Sequence, residues 1–229
     1  YINKSELTLH KIRTTHTILA NGHIERFISF RNNDLPGVML SASFEKYLKR
    51  YGVVPNENPV IFTNNSSTFS LLKSLTDLGH KPKAYVDARD QKKIEKETLD
   101  LLTKYDIPFY PKSEIEGCEG KSEVKKVSIR VKKNQIIKVR TSMLCVSGGF
   151  NPDIHLFTQS KGLLKWDEKL LTFKPDRIFQ NTITLGSVSG NFNYKKILQE
   201  IEEKLNLFSG LNNLEIKFEI NGPEKFEIK

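Results

Sequence analysis

Cysteine is nearly absent from this sequence, and that absence already excludes several chemistries. Cys118 and Cys145 are the only two in 229 residues, far apart and without a CxxC spacing. A disulfide framework, a Cys-based zinc site and a dithiol redox centre are therefore ruled out, and two buried, inert thiols are expected. His10, His16, His23, His80 and His155 show no HExxH or other metal spacing, and none stands beside a Ser or Cys in a nucleophile motif. No stretch approaches the roughly 20 consecutive apolar residues of a membrane span, and the start lacks the order of a signal peptide. The expectation is a soluble, cytoplasmic protein with no membrane partner.

Charge is plentiful but unfocused. There are 36 Lys plus Arg against 27 Asp plus Glu, a formal net charge of +9. Pairs such as Lys92-Lys93, Lys125-Lys126 and Lys132-Lys133 are scattered and are not interleaved with stacking aromatics on one element. A solvated basic surface is predicted, with no nucleic-acid partner. The length suffices for one large core or two linked smaller ones. The chain opens at Tyr1 and closes on Lys229 after a strand-like run at 214–220, which suggests an internal piece of a longer protein.

Periodicity supplies the fold class. Short strands are predicted at residues 9–13 and 17–20, the second closing at Asn21-Gly22. Phe44, Tyr47, Leu48 and Tyr51 recur at helical steps up to Gly52. Val60-Ile61-Phe62 reads as a strand, followed by a polar turn and by Phe69, Leu72, Leu75 and Leu78 at helical spacing. Ala84-Tyr85-Val86 is the next strand, ending at Asp87, and Ile94, Thr98, Leu101, Leu102 and Tyr105 line the next helix face. This alternation is the pattern of βαβ units on a parallel sheet. Residues 124–131 and 136–139 then read as an antiparallel hairpin, and 143–146 as a strand running into Gly148-Gly149. A short helix at 155–160 follows. The last unit is a strand at 182–185, a turn from Gly186 to Gly190, and a helix beginning near Asn191 with Ile197, Leu198, Ile201 and Leu205 on one face.

Candidate chemistry is sparse. A dinucleotide fold needs glycine where its backbone meets pyrophosphate, so that free N–H groups at the helix N-terminus can approach the phosphates. Here the turn after 60–62 reads Thr63-Asn64-Asn65-Ser66-Ser67-Thr68, without a GxGxxG fingerprint. Either its Asn and Ser groups still hold a ligand, or the unit is a structural relic, which is the reading preferred. Asp87, about where a ribose-binding acid would stand, either accepts from a 2′-hydroxyl or caps a loop in an exposed ion pair with Arg89. His23, Glu25 and Arg26 form the densest titratable cluster at a strand end, with an Arg26 ion pair as the plain alternative.

Several stretches carry a family resemblance. Residues 19–26, Leu-Ala-Asn-Gly-His-Ile-Glu-Arg, look like the strand end of two-dinucleotide-domain flavoproteins. Residues 30–40, Phe-Arg-Asn-Asn-Asp-Leu-Pro-Gly-Val-Met-Leu, with Tyr47-Leu48-Lys49-Arg50-Tyr51-Gly52 after them, resemble the alpha subunit of heterotetrameric sarcosine oxidase. Residues 62–65, 86–89, 146–152 and 155–157 match segments of that family in the same order.

The resemblance implies an incomplete FAD/NAD(P)-binding fold of the disulfide-oxidoreductase type, with an inserted βαβ domain that contains the hairpin. The expected division is 1–53 as part of a first dinucleotide domain, 54–174 as the insert, 175–210 as the return, and 211–229 as the start of a following domain. It also implies a complex with beta, gamma and delta subunits that oxidises sarcosine to glycine, using FAD, FMN and tetrahydrofolate. For this chain it implies part of an NAD site, at Ala20, Asn21, Gly22, Gly186, Ser187 and Gly190, and no catalytic or metal-binding residue. Related amine or opine dehydrogenase subunits, and a non-catalytic assembly module, are the alternatives.

Overall fold

The computed structural model describes residues 2–3, 8–9, 14–131 and 135–208, with side chains for 14–131 and 135–204. The chain forms two compact units, an inner one from Glu25 to Phe150 and an outer one from the stretches on either side of it.

The outer unit contributes strand β1 (Thr17–Leu19) before the chain enters the inner one. There, β2 (Val38–Leu40) leads into α1 (Ser41–Tyr51), which Gly52 ends in the left-handed region at φ 63°. β3 (Val60–Thr63), α2 (Phe69–Asp77), β4 (Ala84–Asp87), α3 (Lys96–Lys104) and β5 (Phe109–Pro111) continue the alternation. Three antiparallel strands follow, β6 (Glu114–Glu119), β7 (Lys126–Arg130) and β8 (Ile136–Arg140), and then β9 (Leu144–Ser147). The parallel sheet runs β2-β9-β3-β4-β5, with Leu144 beside both Val38 and Val60.

Alternation along the strands sorts the core into two layers. Val60, Phe62, Ala84, Val86, Leu144 and Val146 face Ile115, Cys118, Val127 and Ile129 of the antiparallel sheet. Ile61, Tyr85 and Cys145 face the helices, against Phe44, Leu71, Leu72, Leu75 and Leu102. Both faces of the parallel sheet are covered, which is why its strands read as unbroken apolar runs. The helix stripes sit slightly off the expected faces. Tyr47 and Tyr51 are exposed and pack on each other at 5.9 Å, and Leu78 lies exposed at the end of α2.

The outer unit resumes with α4 (His155–Gln159), the hairpin β10 (Leu163–Asp167) and β11 (Thr172–Arg177), β12 (Thr182–Thr184) and α5 (Tyr194–Phe208). β12 pairs in parallel with β1, with Thr17 opposite Thr182 and Leu19 opposite Thr184. The strands expected at 17–20 and 182–185 thus share one sheet.

Two boundaries differ from the expectation. Val38–Leu40 hydrogen-bonds into the inner sheet and carries α1 with it, so the inner unit starts at Glu25 rather than residue 54. The inner unit also ends at Phe150 rather than 174, because the chain after it folds into the β10–β11 hairpin of the outer unit. That hairpin lacks a glycine turn: the Asp167 carboxylate accepts from the Lys169 and Leu170 amides, both at 3.0 Å, and Leu171 takes a positive φ of 50°. The strand expected at 9–13 lies mostly outside the described residues, as do the hairpin turn at 132–134 and the segment from 209.

Candidate functional site

In the outer unit, the pairing of β1 with β12 brings two turns together. The Leu185 amide donates to the Leu19 carbonyl at 2.9 Å, so Ala20-Asn21-Gly22 and Gly186-Ser187 leave the sheet side by side. Gly22, Gly186 and Gly190 all adopt positive φ, at 90°, 76° and 85°, a backbone shape that glycine takes without strain. A Cβ at Gly22 would meet nothing within 4 Å. His23 joins the two turns, its Nδ1 lying 2.9 Å from the Ser187 hydroxyl, with the Phe192 ring edge-on at 5.7 Å. Burial lowers the His23 pKa, so the ring is neutral at pH 7. The Asn21 amide donates to the Asp153 carbonyl at 2.6 Å, which orients the side chain and leaves its Oδ1 buried without a partner. All six residues expected at this site therefore lie in or beside one pair of turns. Sequence reasoning missed the His23–Ser187 link, whose partners stand 164 positions apart.

One expectation about this turn is corrected. Gly186–Ser189 is a single 3₁₀ turn closed by the Gly190 amide on the Ser187 carbonyl, and α5 starts only at Tyr194. The Asn193 side chain accepts from the Lys196 amide at 3.1 Å and caps that helix, so the 186–190 turn is not its first turn.

The inner unit closes its own phosphate-loop position. The Asn65 side chain accepts from the Ser67 amide at 2.9 Å and donates to the Ser147 carbonyl at 3.0 Å. Ser67 and Ser147 share a hydroxyl contact at 2.9 Å, and the Thr68 hydroxyl meets the buried Tyr85 hydroxyl at 2.7 Å. The Ser66 hydroxyl donates to the Glu95 carboxylate and accepts from Arg89 Nη1 at 3.1 Å, so its hydrogen bonds are also used within the unit. Side chains satisfy the loop that glycines would have left open.

Asp87 is buried, not exposed as expected. Its Oδ1 accepts from the Arg89 amide at 2.8 Å and from Nε at 3.1 Å, and its Oδ2 from Nη2 at 2.9 Å. Burial of Arg89 works against its charge, but the bonds to Asp87 outweigh it and raise the pKa. Both carboxylate oxygens are thus engaged by one fork, and the fully buried side chain is not open to a ribose diol. Cys118 and Cys145 are buried and free, and burial pushes Cys118 up to about 11 and Cys145 up as well, as expected of inert thiols. Among the described residues no group of three His, Cys, Asp or Glu could hold a metal, and no helix is long and apolar enough to cross a membrane.

Comparison with known proteins bears on this arrangement. The chain is 31% identical over 183 residues, 78% of its length, to sarcosine oxidase subunit alpha of Corynebacterium sp. (strain U-96), and 28% identical over 165 residues to that of Rhizobium meliloti (strain 1021). The chain is similar to part of a sarcosine oxidase alpha subunit. It spans 19% and 16% of the length of these two relatives. No family model matches it. Among solved structures, T. acidophilum thioredoxin reductase aligns with a TM-score of 0.62 at 14% identity, covering 86% of this chain and 66% of that one. The E. coli flavoprotein disulfide reductase RclA aligns at 0.61 and 12% identity, covering 85% and 44%. The chain shares its fold in part with these disulfide reductases.

Proposed function

We propose that this chain is the dinucleotide-fold segment of the alpha subunit of a sarcosine oxidase-like complex. In this reading the parent enzyme oxidises sarcosine to glycine and passes the one-carbon unit to tetrahydrofolate. FAD and FMN belong to the whole complex, with beta, gamma and delta subunits as partners in the cytoplasm. The 31% identity over 183 residues carries the proposal.

This segment serves as scaffold and as one wall of an NAD site. The residues at the paired turns fit one edge of a dinucleotide. Gly22 leaves open space, and Gly186, buried where a Cβ would lie 3.6 Å from Ile197, holds the positive φ that shapes the second turn. Asn21 and Ser187 supply polar side chains, and the six residues include no carboxylate to repel phosphate. NAD, when bound, supplies a hydride-accepting nicotinamide. The chain's own contribution is to hold it: Ala20, Asn21 and Gly22 on one side, Gly186, Ser187 and Gly190 on the other. A purely structural role in assembly is the second reading, favoured by the closed loop of the inner unit.

The parent subunit purified with its co-expressed partners should release peroxide with sarcosine as substrate. Turnover of another secondary amine without sarcosine turnover would reject the substrate assignment. Replacing the half-buried Ser187 by Asp in that subunit, which sets a carboxylate against the phosphates without a positive-φ strain, should empty the NAD site while near-UV circular dichroism stays native. Unchanged NAD content in a folded variant would leave these turns only a structural role.

A further inference from the structure

The face of the antiparallel sheet opposite the core carries a charge arrangement that the proposed function does not use. Val127 and Ile129 point into the core, so Lys126, Ser128 and Arg130 point the other way. On this face the ions are matched across strands. Arg130 pairs with Glu116, and Lys138 and Lys126 pair with Glu119 at 2.7 and 4.0 Å. Arg31 breaks the pattern: its guanidinium has no ion-pair or hydrogen-bond partner among the described residues.

Arg31 is nevertheless held in place. Its backbone bridges Gly117, and the Cys118 amide donates to its carbonyl at 3.0 Å. Next to it Asn32, at φ 59°, donates its side-chain amide to the Cys118 carbonyl at 2.9 Å. Gly117 is the seat: a Cβ there would lie 2.9 Å from the Arg31 carbonyl oxygen, 3.0 Å from its Cβ and 3.2 Å from its Nε. Only a glycine lets the arginine side chain lie across the bare backbone. The result is an exposed arginine with a fixed root beside an open depression of about 560 Å³, also lined by Glu116, Glu119, Ser128, Arg130 and Lys138. Three cations face two carboxylates, and both carboxylates are already paired.

We propose that this is an oxyanion-binding seat, in which Arg31 presents its planar fork, and the one unbalanced charge of the group, to a carboxylate or phosphate group, with the ion-paired Arg130 and Lys138 on the wall. A guanidinium binds such groups through two parallel N–H bonds, and fixing its root lowers the ordering cost of binding.

The test titrates the full chain with succinate and with inorganic phosphate, by calorimetry and by the Arg31 Nε–H resonance. Saturable one-to-one binding of at least one probe is expected. Arg31→Gln should weaken it at least about tenfold, and Arg31→Lys, which keeps the charge and loses the fork, by a smaller factor. Binding of phosphate alone assigns a phosphoryl ligand, and binding of succinate alone a carboxylate. Gly117→Ala tests the seat without touching the cation and should also weaken binding, with the thermal transition retained as proof of folding. Equal affinities in the parent chain and folded Arg31→Gln, or no saturation by either probe at tens of millimolar, would overturn the proposal.

Discussion

Glu25 ties two elements of the inner unit together through one carboxylate. The N-terminal turn of α1 has no side-chain cap from Leu40, and Glu25 supplies the acceptor, taking the Ala42 amide at 2.9 Å. Burial raises its pKa, the hydrogen bonds from Ser147 and from the Ala42 amide oppose that rise, and nearby Glu45 adds to it. Because the folded pKa lies above the unfolded one, the folded state binds the extra proton in the interval between them. Stability therefore falls as pH rises through that interval, just above the ordinary carboxylate range. Urea unfolding at a series of pH values should show this decline, and Glu25→Gln should flatten it. A slope unchanged by the substitution would assign the effect to another group. Tyr85 offers a second residue-scale test. Its hydroxyl meets only the buried Thr68 hydroxyl at 2.7 Å, so Tyr85→Phe should cost about 1–2 kcal/mol in urea unfolding by leaving that threonine with less than its full bonding.

Turns set how the elements meet, and two glycines separate strain from collision. Gly52 ends α1 at φ 63° with open space around it, so Gly52→Ala carries only the left-handed backbone penalty, about 1 kcal/mol. Gly37, at φ 105°, precedes β2, and a Cβ there would lie 2.4 Å from the Ser142 carbonyl oxygen. Its own carbonyl accepts from the Leu144 amide at 2.8 Å, so the turn cannot move without pulling β2 away from β9. Gly37→Ala should therefore cost clearly more, on the order of 2–3 kcal/mol, by urea unfolding of both variants side by side. Equal losses would mean that the Gly37 turn yields.

At the scale of the whole chain, the described residues form one five-stranded parallel α/β unit and a second unit built round a two-stranded parallel pair. The inner unit has filled its phosphate-loop position with Asn65, Ser67 and a Glu95-bound Ser66, and has spent Asp87 on Arg89. The outer unit brings together the turns at Ala20 to Gly22 and Gly186 to Gly190, the edge proposed above for NAD. The purified chain should accordingly show no tight NAD binding in calorimetry. An affinity in the micromolar range would mean that these turns suffice.

What the sequence determined by itself was the local grammar. Apolar runs at 60–62, 84–86 and 143–146 marked strands buried on both faces, helical spacing marked α1 to α3, and Gly52 marked a helix end, because these depend on neighbours within a few positions. The missing glycines at 63–68 likewise favoured a structural relic over a phosphate-binding loop, while the side-chain bonds that close the loop were not legible there. Tertiary structure alone decided what depends on distant partners. Three residues, Val38–Leu40, carry no periodicity of their own, and only pairing with Leu144 to Val146, about a hundred positions away, places them in the inner sheet. Asp87 was legible as a strand-end acid but not as a buried one, since its burial comes from the fold of Arg89 over it and its position inside the sheet. The same holds for the candidate site. Ala20 to Gly22 and Gly186 to Gly190 could be suspected separately, but that His23 reaches Ser187 follows from the parallel pairing of β1 with β12, a long-range choice that no local pattern encodes.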